Sequence, residues 1–122
     1  MGRAYSFECP KCNYRVYVAG GADQGIHFAV QTVACIDCKA LYDAVVRLKV
    51  SLRQRENPPK TAPKAGAVQN RLPPRGARHW LQFKPACPVS ARHRIRLWRQ
   101  PDRCPRCGTF LEPGPLPYRI WD

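Results

Sequence analysis

Cysteines are the residues of this chain whose types and spacing most clearly suggest chemistry. Six of the seven form Cys-x-x-Cys pairs. Two residues between two thiolates let both sulfurs reach one ion from a single tight turn, and two such turns complete the tetrahedral sulfur site that suits zinc. The pairs are Cys9–Cys12, Cys35–Cys38 and Cys104–Cys107, and Cys87 stands alone. The chain can therefore form two metal sites if the second gains a ligand of another type.

The first two pairs predict a complete site by themselves, with four sulfur ligands from Cys9, Cys12, Cys35 and Cys38. A gap of 22 residues separates the pairs, which is the size of a β-hairpin. Zinc is the expected metal and iron the alternative. A redox pair would instead place one Cys-x-x-Cys at the start of a helix within a βαβ unit, and the sequence lacks that context.

The second predicted site has three sulfurs, from Cys87, Cys104 and Cys107, and needs a fourth ligand. His93 is the best candidate, because only five residues separate it from Cys87 and it falls on the apolar side of a predicted strand. His79 is the next candidate. Two zinc ions per chain are therefore expected. The alternative is that His93 is an ordinary, partly buried histidine and that the second site is empty or completed by water.

Short strands are the elements that must position these ligands. The chain contains 13 prolines and 8 glycines, which leaves little room for long regular elements. Apolar residues alternate with polar ones from residue 44 to 53, which predicts a strand with one buried and one basic face. Further strands are expected over residues 4–8, 14–18, 26–34, 79–83, 92–99, 108–111 and 118–121. The residue after each Cys-x-x-Cys pair is expected in a left-handed conformation, as suits Asn13 and Gly108 better than Lys39.

The chain divides by composition into three parts. Residues 1–53 are predicted to form an N-terminal zinc module with four cysteine ligands, and residues 79–122 a second module with three cysteines and a histidine. Residues 54–78 contain five prolines and many charges but almost no apolar periodicity, which predicts a flexible, extended linker. A cross-braced arrangement, in which the two halves share their ligand pairs, is the alternative to two sequential sites.

These motifs resemble those of the zinc-ribbon and rubredoxin-like family, including small bacterial proteins with two zinc ribbons. The resemblance rests on Cys9-Pro-Lys-Cys12 with Cys35-Ile-Asp-Cys38, and on Cys104-Pro-Arg-Cys107-Gly108. It implies a small, metal-stabilised, mostly-β fold in which each metal is held between two knuckles carried on β-hairpins. The second half departs from the family pattern, because Cys87-Pro88-Val89-Ser90 places a serine where the family has a cysteine.

The charge of the chain points to a polyanionic partner. There are 21 Lys and Arg residues against 8 Asp and Glu residues, a net charge of +13. Strand periodicity predicts that Arg94, Arg96 and Trp98 share one face, where guanidinium groups meet phosphates and the indole stacks on a base. Core packing is the alternative for Trp98. A similar basic face is predicted on the first module from Arg47, Lys49 and Arg53.

Together these features predict a non-enzymatic protein whose zinc ions support folding, since a closed tetrahedral site has no exchangeable position. The expected partner is nucleic acid or a nucleic-acid-associated complex. A protein-interaction adaptor docking on an acidic partner is an alternative, and a rubredoxin-like electron carrier is a further one. The N-terminus has no apolar signal region and no stretch approaches transmembrane length, so a cytoplasmic location with no membrane partner is expected. No small-molecule substrate is expected.

Overall fold

Nine β-strands form the fold in the computed structural model, which describes residues 2–50, 79–114 and 119–121. The described residues contain no helix, and hence none that could span a membrane. The prediction of a small, mostly-β protein is confirmed. The predicted linker, residues 54–78, and Arg53 lie outside the described residues. The strands are β1 Gly2–Glu8, β2 Arg15–Val18, β3 Ala22–Gln24, β4 Phe28–Cys35, β5 Ala40–Val50, β6 His79–Gln82, β7 Ile95–Leu97, β8 Glu112–Pro113 and β9 Arg119–Trp121.

The strands form two antiparallel sheets. In the first sheet β1 is central, with β2 on one side and β8 beside its end, while β9 pairs with its beginning. In the second sheet the order is β3-β4-β5-β6, and β7 pairs with the end of β4. Each strand after residue 78 therefore pairs with a strand from the first 50 residues.

This pairing differs from the predicted division into separate modules, residues 1–53 and 79–122. Both sheets take strands from both parts of the chain, so the described residues form one shared framework. The physical reason lies in strand number. A hairpin alone is marginally stable in water, whereas four or five paired strands bury enough backbone and apolar surface to persist.

The core lies where side chains from the two sheets meet, in two clusters of buried residues. One cluster combines Ala4 and Ala19 with Phe28, Val30, Val45, Leu48 and Val50 of the second sheet, and Leu81 and Phe83 pack against it. The other combines Phe7, Cys9 and Val18 with Ala34, Leu41, Trp98, Cys104 and Leu111. Two of the predicted metal ligands, Cys9 and Cys104, thus belong to the core between the sheets.

A buried polar network also ties the sheets together. Both carboxylate oxygens of Asp43 on β5 accept hydrogen bonds from the backbone N–H of Ala19 (3.1 and 3.0 Å), and the Thr32 hydroxyl donates to the same carboxylate at 2.7 Å. Burial raises the pKa of Asp43 to about 6. The hydrogen bonds from Thr32 and Ala19 lower that pKa but do not outweigh burial. The Thr32 oxygen in turn accepts from the N–H groups of Gly20 and Gly21. Every member of the network has a partner, as a buried polar group requires.

Gly20 is required by both its backbone and its surroundings. Its φ is +84°, a conformation that other residues rarely adopt. A Cβ at this position would lie only 2.8 Å from the Cζ atom of Phe7. The chain can therefore pass directly over the Phe7 ring at the end of β2, which brings the first sheet onto the second.

Trp98 corrects one of the predicted binding residues. Its side chain is 0% exposed, and its ring meets that of Phe7 edge-on with centroids 5.2 Å apart. The indole Nε1 donates to the backbone oxygen of Arg103 at 2.9 Å. Strand β7 ends at Leu97, so the alternation that predicted Trp98 beside Arg96 on an accessible face does not continue to it. Trp98 is a core residue and cannot stack on a base.

We expect Trp98→Ala to destabilise the protein by about 3–5 kcal/mol, the usual cost of emptying a large aromatic site in a core. The loss would be measured by chemical denaturation of the full chain. Leu97→Ala is the matched control, because Leu97 is 61% exposed and its truncation should change the free energy of unfolding by less than about 1 kcal/mol. Equal losses in the two variants would contradict the core role of Trp98.

Candidate metal centres

Three knuckle turns carry the Cys-x-x-Cys pairs, and the backbone of each turn is held in the same way. In the first turn the Cys12 N–H points to the Cys9 sulfur at 3.5 Å, and the Asn13 N–H donates to the Cys9 carbonyl at 3.1 Å. The turn at Cys35 repeats both contacts, and the turn at Cys104 repeats the second, while the N–H that points to the Cys104 sulfur there is that of Arg106. The residue after each pair has a positive φ, which confirms the prediction: 63° at Asn13, 54° at Lys39 and 81° at Gly108.

The first group of ligands, cluster A, consists of Cys9, Cys12, Cys104 and Cys107. The sulfurs of Cys9 and Cys107 are 3.3 Å apart, and those of Cys12 and Cys104 are 3.6 Å apart. All four sulfurs lie within 4.8 Å of one another. Cys9 and Cys104 are buried, whereas Cys12 is exposed.

The second group, cluster B, consists of Cys35, Cys38, Cys87 and His93. The Nδ1 atom of His93 is 3.6 Å from the Cys35 sulfur and 3.3 Å from the Cys38 sulfur, and the sulfurs of Cys38 and Cys87 are 3.8 Å apart. Of the four residues, Cys35 and Cys87 are buried. The structure therefore brings His93 to three cysteines, while His79 lies on β6 outside both clusters.

The eight residues predicted as ligands are the eight residues of the two clusters, but the prediction of which ligands share an ion was wrong. The sequence predicted Cys9 and Cys12 with Cys35 and Cys38, whereas the structure groups Cys9 and Cys12 with the third pair, Cys104 and Cys107. The arrangement is the cross-braced one, in which each cluster takes two ligands from each side of residues 51–78.

Strand pairing explains this grouping. The first knuckle follows β1 and the third precedes β8, and the antiparallel pairing of Glu8 with Glu112 brings these two knuckles together. The second knuckle joins β4 to β5, and the pairing of Cys35 with Ile95 on β7 brings the segment around His93 to it. The ligand sets are thus a consequence of which strands share a sheet.

The donor atoms of both clusters fit one metal ion each. A tetrahedral zinc with bonds of about 2.3 Å to sulfur and about 2.0–2.1 Å to nitrogen separates two sulfurs by about 3.8 Å, and a sulfur from a nitrogen by about 3.6 Å. The five donor distances given above, 3.3–3.8 Å, agree with these values to within about 0.5 Å. No disulfide competes for the sulfurs, because all seven cysteines are free.

The electrostatics of the clusters also favour a cation. A hydrogen bond from the Tyr14 backbone lowers the pKa of Cys12, but burial and the neighbouring thiols outweigh it and raise that pKa to about 12. In the same cluster, hydrogen bonds from the backbone and side chain of Thr109 lower the pKa of Cys107 to about 6. One thiolate therefore opposes the ionisation of the next, and a divalent ion relieves this repulsion by binding all of them deprotonated.

In cluster B, too, one cysteine has a raised pKa and another has a lowered one. Burial raises the pKa of Cys38 to about 11 and dominates over a hydrogen bond from the Tyr42 hydroxyl. Burial also acts to raise the pKa of Cys87, but hydrogen bonds from the Ser90 and Val89 backbone outweigh it and lower that pKa to about 7. The turn at Cys87–Ser90 thus cradles a sulfur as the knuckles do, although its last residue is a serine and the fourth ligand comes from His93.

Two residues that the sequence did not single out hold the clusters in place. The Tyr42 hydroxyl lies close enough to the Cys38 sulfur to lower the pKa of that thiol, the position of a group that orients a ligand. Arg106, inside the third knuckle, donates through Nε to the carbonyl of Lys39 at 3.4 Å and lies 4.7 Å from the centre of the Tyr14 ring. The third knuckle, which belongs to cluster A, is therefore bonded directly to the second knuckle, which belongs to cluster B.

The basic residues predicted to bind nucleic acid are divided between different environments. Arg96 forms an ion pair with Asp102 (2.9 Å), which offsets its charge, and the exposed Arg94 lies near cluster B with its N–H bonded to Asp37. Arg47 and Lys49 lie on β5, beside Trp80 of β6. Among the side chains that the structure describes, no accessible tryptophan lies with Arg94 and Arg96.

Comparison with known proteins identifies no relative of this chain. No protein-family model matches it, and neither a curated protein nor a solved structure is similar to it. The resemblance to zinc ribbons remains a prediction from the cysteine motifs.

Proposed function

We propose that this is a non-enzymatic protein in which two structural zinc ions join the two parts of the chain. The observation that carries the proposal is the geometry of clusters A and B, each of which brings four donor atoms within 4.8 Å of one another. Three thiolates and an imidazole, or four thiolates, are the donor sets that structural zinc prefers. Four protein ligands leave no position for a substrate or an activated water.

The ligands of each cluster would act as a cross-link. The free energy of zinc binding is about 10–16 kcal/mol in small structural sites at neutral pH. Because such a site does not exist in the unfolded chain, that binding free energy contributes to folding. Here Cys9 and Cys12 would hold the turn between β1 and β2 to Cys104 and Cys107, while cluster B would hold the turn between β4 and β5 to the segment before β7. The ions would therefore fix the relation between strands that are far apart in sequence.

We propose further that the surface held in this way binds nucleic acid. The support is the charge of the chain, which has 21 basic and 8 acidic residues. Only two ion pairs occur among the described residues, so most of the positive charge there has no acidic partner. A polyanion neutralises such a surface and releases its counterions. An acidic partner protein would satisfy the same charge.

The test is a binding series with the zinc-loaded protein and a short labelled oligonucleotide at increasing salt. We expect the affinity to fall linearly with salt on logarithmic axes, because each phosphate contact releases a counterion. Absence of binding at low salt would remove the nucleic-acid proposal. Co-purification of one stoichiometric protein that nuclease does not release would favour an adaptor, and a red, iron-loaded preparation would favour an electron carrier.

A further inference from the structure

A small patch on the second sheet combines a tryptophan with two cations, and neither metal cluster involves it. The patch consists of Arg47 and Lys49 on β5 and Trp80 on β6. Lys49 and Trp80 are direct partners in the strand register. The Arg47 Cζ lies 5.2 Å from the centre of the Trp80 ring and the Lys49 Nζ 5.8 Å from it, both within the range of cation–π attraction.

The patch faces away from the core. Successive strand residues point to opposite faces. Leu48 and Val50 are buried in the core between the sheets. Arg47 and Lys49 therefore lie on the outer face of β5, and their partner strand places Trp80 beside them. All three side chains keep part of their surface exposed. The tryptophan is thus placed on an outer sheet face, where core packing does not require it.

In the part of the chain that the structure describes, no ion pair offsets the charge of this face. The strand register aligns Gln24, Ala29, Arg47 and Gln82 across four strands, and this row contains no acidic side chain. Arg47 donates to the amide oxygen of Gln24, a neutral partner. Neither of the two ion pairs in the described residues, Arg15–Glu8 and Arg96–Asp102, includes Arg47 or Lys49.

We propose that this patch binds a single strand of nucleic acid, with a base stacked on Trp80 and the adjoining phosphates on Arg47 and Lys49. The inference rests on the proposed nucleic-acid function and names its site and its ligand. Bases in a duplex are stacked on one another, so a ring lying on a sheet face cannot reach them, whereas an unpaired base can stack on it. Cations beside the ring then meet the backbone that carries that base.

The test uses the full, zinc-loaded chain and fluorescence anisotropy with a labelled single-stranded oligonucleotide of ten nucleotides, as RNA and as DNA, at low salt. Trp80→Ala should weaken binding by about 5- to 150-fold, the measured range for one base stacked on an aromatic residue. Trp80→Phe should keep most of the affinity. Arg47→Gln and Lys49→Gln should each weaken binding and each reduce the salt slope by about 1.

Arg15→Gln is the control for charge, because it removes one positive charge from an exposed side chain on the other sheet. It should change the affinity less than Lys49→Gln does. Zinc content is measured for each variant. If Trp80→Ala loses its zinc, the comparison of Lys49→Gln with Arg15→Gln carries the test.

The outcomes distinguish a failure of this inference from a failure of the proposed nucleic-acid function on which it rests. A wild-type protein that binds no oligonucleotide at low salt would overturn both. A wild-type protein that binds, together with patch variants that bind within twofold of it, would overturn the patch alone. Equal affinity for a duplex of the same length, or full competition by polyglutamate at equal charge, would also overturn the single-strand assignment.

Discussion

Replacing Cys9 and Cys104 together with serine should remove one zinc ion per chain and leave the other in place. Both sulfurs belong to cluster A, so the second substitution removes a ligand from a site that the first has already disabled. Replacing Cys9 and Cys35 together should instead remove both ions, because these residues belong to different clusters. Elemental analysis of the purified proteins, with two zinc ions expected in the wild type, measures each result.

The two double variants exchange their outcomes if the sites are sequential. In that arrangement Cys9 and Cys35 share one ion, so their joint replacement would leave one zinc, and the pair Cys9 and Cys104 would leave none. The matched design holds the number and type of substitutions constant. His93→Ala should also reduce the zinc content from two to one, whereas His79→Ala should leave two, because His79 lies outside both clusters.

A single substitution that unfolds the whole chain would obscure the zinc count. The same four variants can then be compared by cobalt uptake at saturating metal, since an excess of metal drives folding of each intact site. The thiolate absorption of bound cobalt reports how many sites form. One intact site in the Cys9/Cys104 variant and none in the Cys9/Cys35 variant is the result that the structure predicts.

The ligand types were predictable because their signals are local. A Cys-x-x-Cys pair specifies its own turn, and Asn13 and Gly108 are residues that tolerate the left-handed conformation which closes it. His93 was identified by its distance from Cys87. Strands β2 and β5 were predicted from alternation, whose period is contained within a few residues, and β1, β4 and β6 from short apolar or β-prone runs.

The grouping of the ligands was not predictable, because it depends on contacts between distant strands. Nothing in the spacing of Cys9 and Cys12 distinguishes the second knuckle from the third as their partner; both provide two sulfurs on a similar turn. The choice is made by the pairing of β1 with β8 and of β4 with β7. The prolines and charges of residues 54–78 suggested two independent modules, although composition does not determine how far strands pair across a linker.

The tryptophan that accompanies basic residues on a sheet face was predicted wrongly for a related reason. Alternation placed Trp98 beside Arg94 and Arg96 because it was extended beyond the end of β7 at Leu97. Arg47 and Lys49 were identified correctly as one face of β5, but their tryptophan comes from β6, about thirty residues later in the chain. A surface composed of two strands can be read from a sequence only when the register between those strands is known.

Cutting the chain between residues 51 and 78 should not release its two pieces while the metals are bound. Each cluster takes two ligands from either side of the cut, so both ions would have to lose half of their ligands before the pieces separate. Four strand pairings that join the first 50 residues to residues after the cut act in the same direction, namely β5–β6, β4–β7, β1–β8 and β1–β9. We therefore expect the cleaved protein to elute from a sizing column as one species with two zinc ions.

The experiment places the recognition sequence of a specific protease within residues 51–78, from which neither cluster takes a ligand. Addition of a strong chelator should then separate the pieces, because apolar burial in such short fragments does not hold them together without metal. The uncut protein, treated with the same chelator, is the control for aggregation. Two pieces that separate before chelation, each with one zinc ion, would show that the sites are sequential.

Pieces that remain together after complete removal of zinc would contradict the cross-linking role in a different way. The paired strands alone would then be sufficient, and the clusters would be accessory to a fold that the sheets already hold.

The strength of the metal link can be measured from the same material by diluting the cleaved protein. A cut removes the high effective concentration that the intact chain provides, typically in the millimolar range for short flexible connections. Association that persists at nanomolar protein with zinc, and fails at micromolar protein without it, would assign the cohesion of the two parts to cluster A and cluster B.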